Sequence, residues 1–237
     1  MAKMTPEQLV EQLRAAYGPE LRNVVLYGSA AAGEHIPKRS DYNILVLVDK
    51  LSLERLRAAA AVSSAWGEAG NPPPMTLTTH EWRSSADIFA MEYADIIDRH
   101  KVLYGENPFD GIRVDPKDLR LQLEHEAMGK LLKLRQGVLA SGGDERRQTD
   151  LLADSLSTIM VIFRAVVRLE RGVPAKDNLT LSQTVARNAG FDASPFERVV
   201  RHVRGEQPIT PAEVGNVIAG YLDGMERLVD HLDRFAG

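Results

Sequence analysis

The chain has 237 residues, with 29 Lys+Arg against 33 Asp+Glu, 44% hydrophobic and 26% charged residues, and no cysteine. That length suits one large or two modest folded units, and the lack of cysteine excludes disulfides, thiolate nucleophiles and sulfur-based zinc sites. Residues 1–110 hold 11 basic and 15 acidic side chains and residues 111–237 hold 18 of each, so neither half has the positive excess that tracks a long nucleic acid.

In chain order, Thr5-Pro6-Glu7-Gln8 signals a helix start, with proline at the first helical position and a capping-box glutamine three residues after the threonine. Leu9, Val10, Leu13 and Ala16 form its apolar stripe, and Gly18-Pro19 stops it. Glu7, Glu11 and Arg14 interrupt any leader-like apolar run, and no uncharged apolar stretch of about eighteen residues occurs, so the expectation is a soluble, cytoplasmic protein with no membrane partner.

Val24 to Tyr27 is an apolar run of the kind a buried strand needs, and Gly28-Ser29 ends it where a helix could begin. Unpaired N–H groups at such a turn suit an anion, and a glycine lets a phosphate approach without meeting a Cβ. Asp41 and Asn43 open the next apolar run, Ile44 to Val48. Two residues apart on a strand, they share one face at the end of the sheet that carries the turn.

Leu51 to Ala69 reads as a helix, ended by Gly70-Asn71-Pro72-Pro73-Pro74, and Met75 to Thr78 as a short third strand. Thr78 with Glu81 caps a brief helix through Ser85. Phe89, Met91 and Tyr93 alternate with Ala90, Glu92 and Ala94, a period of two that predicts strand in part of 87–103. Tyr104-Gly105-Glu106-Asn107-Pro108 is a strong break, so the expected units are residues 1–108 and 109–237. Beyond it the signals are helical. Starts fall at Asp115-Pro116, Thr180, Ser194-Pro195 and Thr210-Pro211, and stops at Gly142-Gly143, Gly172, Gly190 and Gly205, giving about five helices that form a bundle.

Gly28-Ser29 followed by Asp41-Tyr42-Asn43 resembles the signature of the nucleotidyltransferase superfamily of DNA polymerase beta and the antibiotic nucleotidyltransferases. There Gly-Ser precedes Asp-x-Asp or Asp-x-Glu by about ten to fifteen residues. The resemblance implies an α+β fold, with an N-terminal mixed sheet and helices followed by a C-terminal helical bundle whose face closes the cleft over a small-molecule acceptor. By the same resemblance Gly28 and Ser29 meet a nucleoside triphosphate, Asp41 and Asn43 meet magnesium, and Asp41 and Glu92 are catalytic, while His35, Lys38 and Arg39 in the connecting loop are basic candidates for the same triphosphate. Glu92 is then a third metal ligand or a general base, with Asp87 and Asp95 as lesser candidates. This chain departs from the pattern at two places, with Asn43 where the second acid falls and Ala32 where an arginine is usual. Two functions therefore stand side by side: nucleotidyl transfer to a small acceptor, or a pseudoenzyme that senses a nucleotide or pairs with another protein or a second copy of itself.

Overall fold

The structure is a computed structural model that describes residues 4–33 and 41–235. They fall in two compact units, Met1–Val114 and Asp115–Gly237.

The first unit is a four-stranded mixed sheet in the order β3-β2-β1-β4, from β1 (Leu21–Tyr27), β2 (Asn43–Val48), β3 (Met75–Thr78) and β4 (His100–Tyr104). β1 runs antiparallel to both β2 and β4, while β2 and β3 are parallel and joined through helix α2 (Leu53–Glu68). The two central strands carry continuous apolar runs, Val24 to Leu26 and Ile44 to Val48, because both faces are covered there. On one face Val24, Leu26, Ile44, Val46 and Val48 meet Leu9, Leu13 and Tyr17 of α1 (Pro6–Tyr17) and Val62 and Trp66 of α2. On the other, Val25, Leu45 and Leu47 meet Trp82 of α3 (Thr79–Ser84), Tyr93 and Ile96 of α4 (Ala90–Asp98), and Phe109.

The local signals explain why these elements begin where they do. Thr5 with Gln8 and Thr78 with Glu81 each form a reciprocal capping box, satisfying two of the N–H groups a helix start leaves unpaired. The Trp82 and Tyr93 rings stack at 4.1 Å, and the Tyr93 hydroxyl donates to the Trp82 carbonyl at 2.7 Å. Trp82 Nε1 donates to the Pro108 carbonyl at 3.0 Å, and Phe109, Ile112 and Val114 continue the packing on this face of the sheet.

One expected element differs. The alternating stretch around Glu92 is helical, not strand, because Ala90, Met91, Tyr93, Ala94 and Ile96 bury one face at spacings of three and four residues. The alternation and the helical stripe coincide over these few positions, and contact with the sheet decides between them. The strand expected in this region is β4, which starts at His100.

The second unit is a bundle of α5 (Pro116–Ser141), α6 (Glu145–Leu169), α7 (Asn178–Ala189), α8 (Ser194–Arg204) and α9 (Pro211–Asp233). α6 is central, in contact with the other four helices, and residues such as Ile159, Ile162, Phe163 and Val166 are fully buried. Phe196 stacks on Tyr221 at 4.4 Å, and the Tyr221 hydroxyl shares a buried 3.2 Å hydrogen bond with Ser155. The Gly142, Gly190 and Gly205 stops all adopt the left-handed cap conformation.

Candidate functional site

The turn after β1 carries the first half of the signature. Gly28 has φ 79°, in the left-handed region that a glycine occupies without cost, and its carbonyl accepts from Ala32 N at 3.1 Å. Its own amide is not free for a ligand, as the sequence had suggested: it donates to the Arg99 carbonyl at 2.9 Å. The next three residues differ. Among the described residues, no backbone carbonyl accepts from the amides of Ser29, Ala30 or Ala31. Residues 28–33 form turns, so the segment expected to start a helix is instead a short run of successive turn amides, a geometry that suits an anion.

The second half lies directly across the sheet. Asn43 pairs with Tyr27, so Gly28 and Asn43 meet at one end of the β1–β2 ladder, and a Cβ placed on Gly28 would sit 3.4 Å from Asn43 Nδ2. Asn43 lies on the face of Leu45 and Leu47 by strand alternation, toward α4. Tyr42 turns the other way, its ring 6.1 Å from Trp66, and its amide donates to Asn71 Oδ1 at 3.0 Å. Asp41 precedes β2 and is exposed. The segment bearing the two ligand candidates is thus pinned from behind by α2 and the loop that follows it.

The acids of α4 face the same end of the sheet. Glu92 is exposed and Asp95 is buried. Burial raises the Tyr27 hydroxyl pKa, and the negative charges of Glu92 and Asp95 raise it further. Tyr27 therefore links α4 to the Asn43 end of β2, a role the sequence reading missed. Its place at the last position of β1, two residues after Val25 and on the same face, was the available signal. Asp87 accepts from the amide of Ile88 at 3.0 Å in the loop before α4. Lys38 and Arg39, with His35, lie outside the described residues.

Magnesium prefers hard oxygen donors and is commonly held by one or two carboxylates together with substrate phosphates and water. Asp41 offers a carboxylate and Asn43 a neutral carbonyl oxygen. Among the described residues no three His, Asp or Glu side chains gather as a metal cage. The donor set fits an ion that arrives on a nucleotide and does not fit one held by the protein alone.

No protein-family profile matches the chain, and no curated protein sequence matches it. The chain is similar in structure to spectinomycin adenyltransferase AAD(9) from Enterococcus faecialis, solved with ATP and spectinomycin, at 13% identity and a TM-score of 0.60. The similarity covers 95% of this chain and 97% of that one, so it extends over the sheet and the helical bundle alike. With the Gly28 turn and the Asp41–Asn43 segment at one end of a mixed sheet, and a five-helix unit after it in sequence, the chain has the nucleotidyltransferase fold that this neighbour shows.

Proposed function

We propose that the chain binds a nucleoside triphosphate at the Gly28 turn and transfers its nucleotidyl group to a hydroxyl of a small-molecule acceptor. The observation that supports this reading is the run of amides from Ser29 to Ala31, directly after Gly28, which meets Asn43 across the β1–β2 ladder at the sheet end where Glu92 acts on Tyr27. Successive amides in a turn suit a polyphosphate. The similarity to an adenyltransferase solved with ATP points to ATP as the nucleotide to test first.

In this reading the amides and the Ser29 hydroxyl orient the phosphates, and Asp41 and Asn43 hold a nucleotide-borne magnesium. When bound, that ion offsets the charge that develops on the phosphate oxygens. Glu92, exposed to solvent, takes the proton of the acceptor hydroxyl as its oxygen attacks the α-phosphorus. The bond from that phosphorus to the bridging oxygen breaks and pyrophosphate leaves, so atoms and charge balance.

A second reading keeps the nucleotide and omits the transfer. Asn43 in place of an acid, and Ala32 in place of the usual arginine, favour it. Calorimetric titration of ATP with and without magnesium, with pyrophosphate release measured across aminocyclitol and other polyhydroxyl acceptors, separates the two. Magnesium-dependent binding with release supports transfer, and binding without release supports the second reading. Absence of binding refutes both.

A further inference from the structure

Helix α5 has apolar residues on two opposite faces, and among the described residues one set is buried in the bundle and the other is exposed. Leu119, Leu123, Ala127, Leu131 and Leu134 are buried in the bundle. Leu121, Met128, Leu132 and Leu139 are 71%, 43%, 47% and 82% exposed. Their steps of seven, four and seven residues keep the four within about 20° of a single line along the helix, at 100° per residue, over a length of about 27 Å. Isolated exposed leucines need no explanation, but a straight seam opposite the buried face of a 26-residue helix is the pattern of a helix with a second partner.

We propose that this seam is occupied by α5 of a second copy of the chain, running antiparallel. The seam is symmetric about the level of residue 130. When two copies are related by a two-fold axis there, Leu121 lies opposite Leu139 and Met128 opposite Leu132, and each contact occurs twice. The flanks agree in charge. On one flank Glu124 falls within one residue of the level of Arg135 from the other copy. Within the chain Glu124 already binds Arg120 at 2.7 Å and Arg135 binds Glu226 at 2.8 Å. The two-fold joins these into a row of alternating sign, Arg120, Glu124, Arg135, Glu226, with two residues from each copy. On the other flank His125 meets Gln136, so no like charges are opposed. An apolar seam this long and about 10 Å wide is smaller than the roughly 800 Å² per partner of a standard interface, so the dimer is weak and concentration-dependent.

The absence of native cysteine makes the register directly testable in the full chain. Leu121→Cys and Leu139→Cys are made singly, and each is oxidised alone and as an equimolar mixture. An antiparallel pair crosslinks in the mixture and in neither variant alone, because like positions are about 27 Å apart. Sedimentation should show a reversible monomer–dimer equilibrium, and Leu132→Lys should raise its dissociation constant by about a hundredfold or more, since the substitution acts twice per dimer. Circular dichroism of the lysine variant should match wild type, because position 132 is outside the core. A monomer at every concentration up to about 200 µM, well beyond the micromolar range of weak complexes, overturns the proposal. So does efficient crosslinking of each cysteine variant by itself, which would indicate parallel pairing.

Discussion

Replacing Asn43 with aspartate tests the site through one oxygen-for-nitrogen exchange. The residue is half-buried at the start of β2, opposite Tyr27 and against Gly28. Its size barely changes, so packing should hold and charge alone is altered. At about 4 Å two unit charges interact by about 1 kcal/mol in bulk water and about 4 kcal/mol at an effective dielectric of 20, and the negative phosphates that carry the magnesium offset the rest of its double charge. A half-buried position lies between these limits, so about 2 kcal/mol, or about thirtyfold tighter binding of magnesium-ATP, is the expected gain. Without metal the sign reverses. The new charge joins Glu92 and Asp95 around the half-buried Tyr27 side chain, so the apo variant should unfold at a lower temperature than apo wild type. Titration calorimetry gives the first quantity, and thermal unfolding with and without magnesium-ATP gives both signs in one experiment. If the two proteins bind magnesium-ATP equally, Asn43 does not contact the ion and the assignment of the metal site to this strand end fails. If the variant is also no less stable without metal, the charges of α4 do not act on this end of the sheet.

Further outcomes follow from other parts of the chain. Glu92→Gln should lower any pyrophosphate-releasing turnover by about a hundredfold or more while leaving ATP affinity within a few-fold, as loss of a general base does; an equal fall in affinity would make Glu92 a ligand instead. The same substitution should move the Tyr27 pKa part of the way down toward its ordinary value, with the remainder held up by burial and by Asp95, and NMR titration of the tyrosine would read it. Gly105→Ala should destabilise the first unit by more than the roughly 1 kcal/mol typical of a point substitution, because Gly105 has φ 87° and a Cβ there would collide with the Arg22 carbonyl; urea unfolding measures it. Glu213 is held down to about 2 by the Thr210 amide and hydroxyl and by Arg198, so its cap stabilises α9 fully above about pH 4.5 and the contribution is lost as pH falls toward 2. The stability difference between wild type and Glu213→Gln should shrink over that window, and a difference that persists unchanged at pH 2 would show that the carboxylate is not the group responsible.

The parts of the fold that could be read from sequence were those set by neighbouring residues. Capping boxes at Thr5, Thr78 and Thr210, and glycine stops at 142, 190 and 205, are local chemistry, and each stands where the residues predict. The doubly buried β1 and β2 announced themselves as continuous apolar runs. Where two good caps compete, tertiary contact decides. The start of α7 is Asp177 and not Thr180, and Arg204 of α8 holds the Asp177 carboxylate at 2.6 Å. The region of Glu92 shows the same limit more strongly. Its alternating residues fit a strand until the sheet supplies a flat apolar surface on which Met91, Tyr93 and Ile96 bury as one helical face. At the site, the spacing of Gly28 and Asp41 was visible, but the loss of the Gly28 amide to Arg99 was not, since that bond joins positions 71 residues apart.

That bond also constrains the order in which the protein can assemble during synthesis. β1 and β2 are close in sequence and can pair early, whereas the other edge of β1 waits for β4, with His100 opposite Tyr27 and the Arg99 carbonyl on Gly28. Until the ribosome has released that stretch, β1 presents an unpaired apolar edge, and the turn after it has no fixed base. Nascent chains that stop short of Arg99 should therefore be prone to edge-to-edge association, with Lys101 and its neighbours closing the edge only once β4 has emerged.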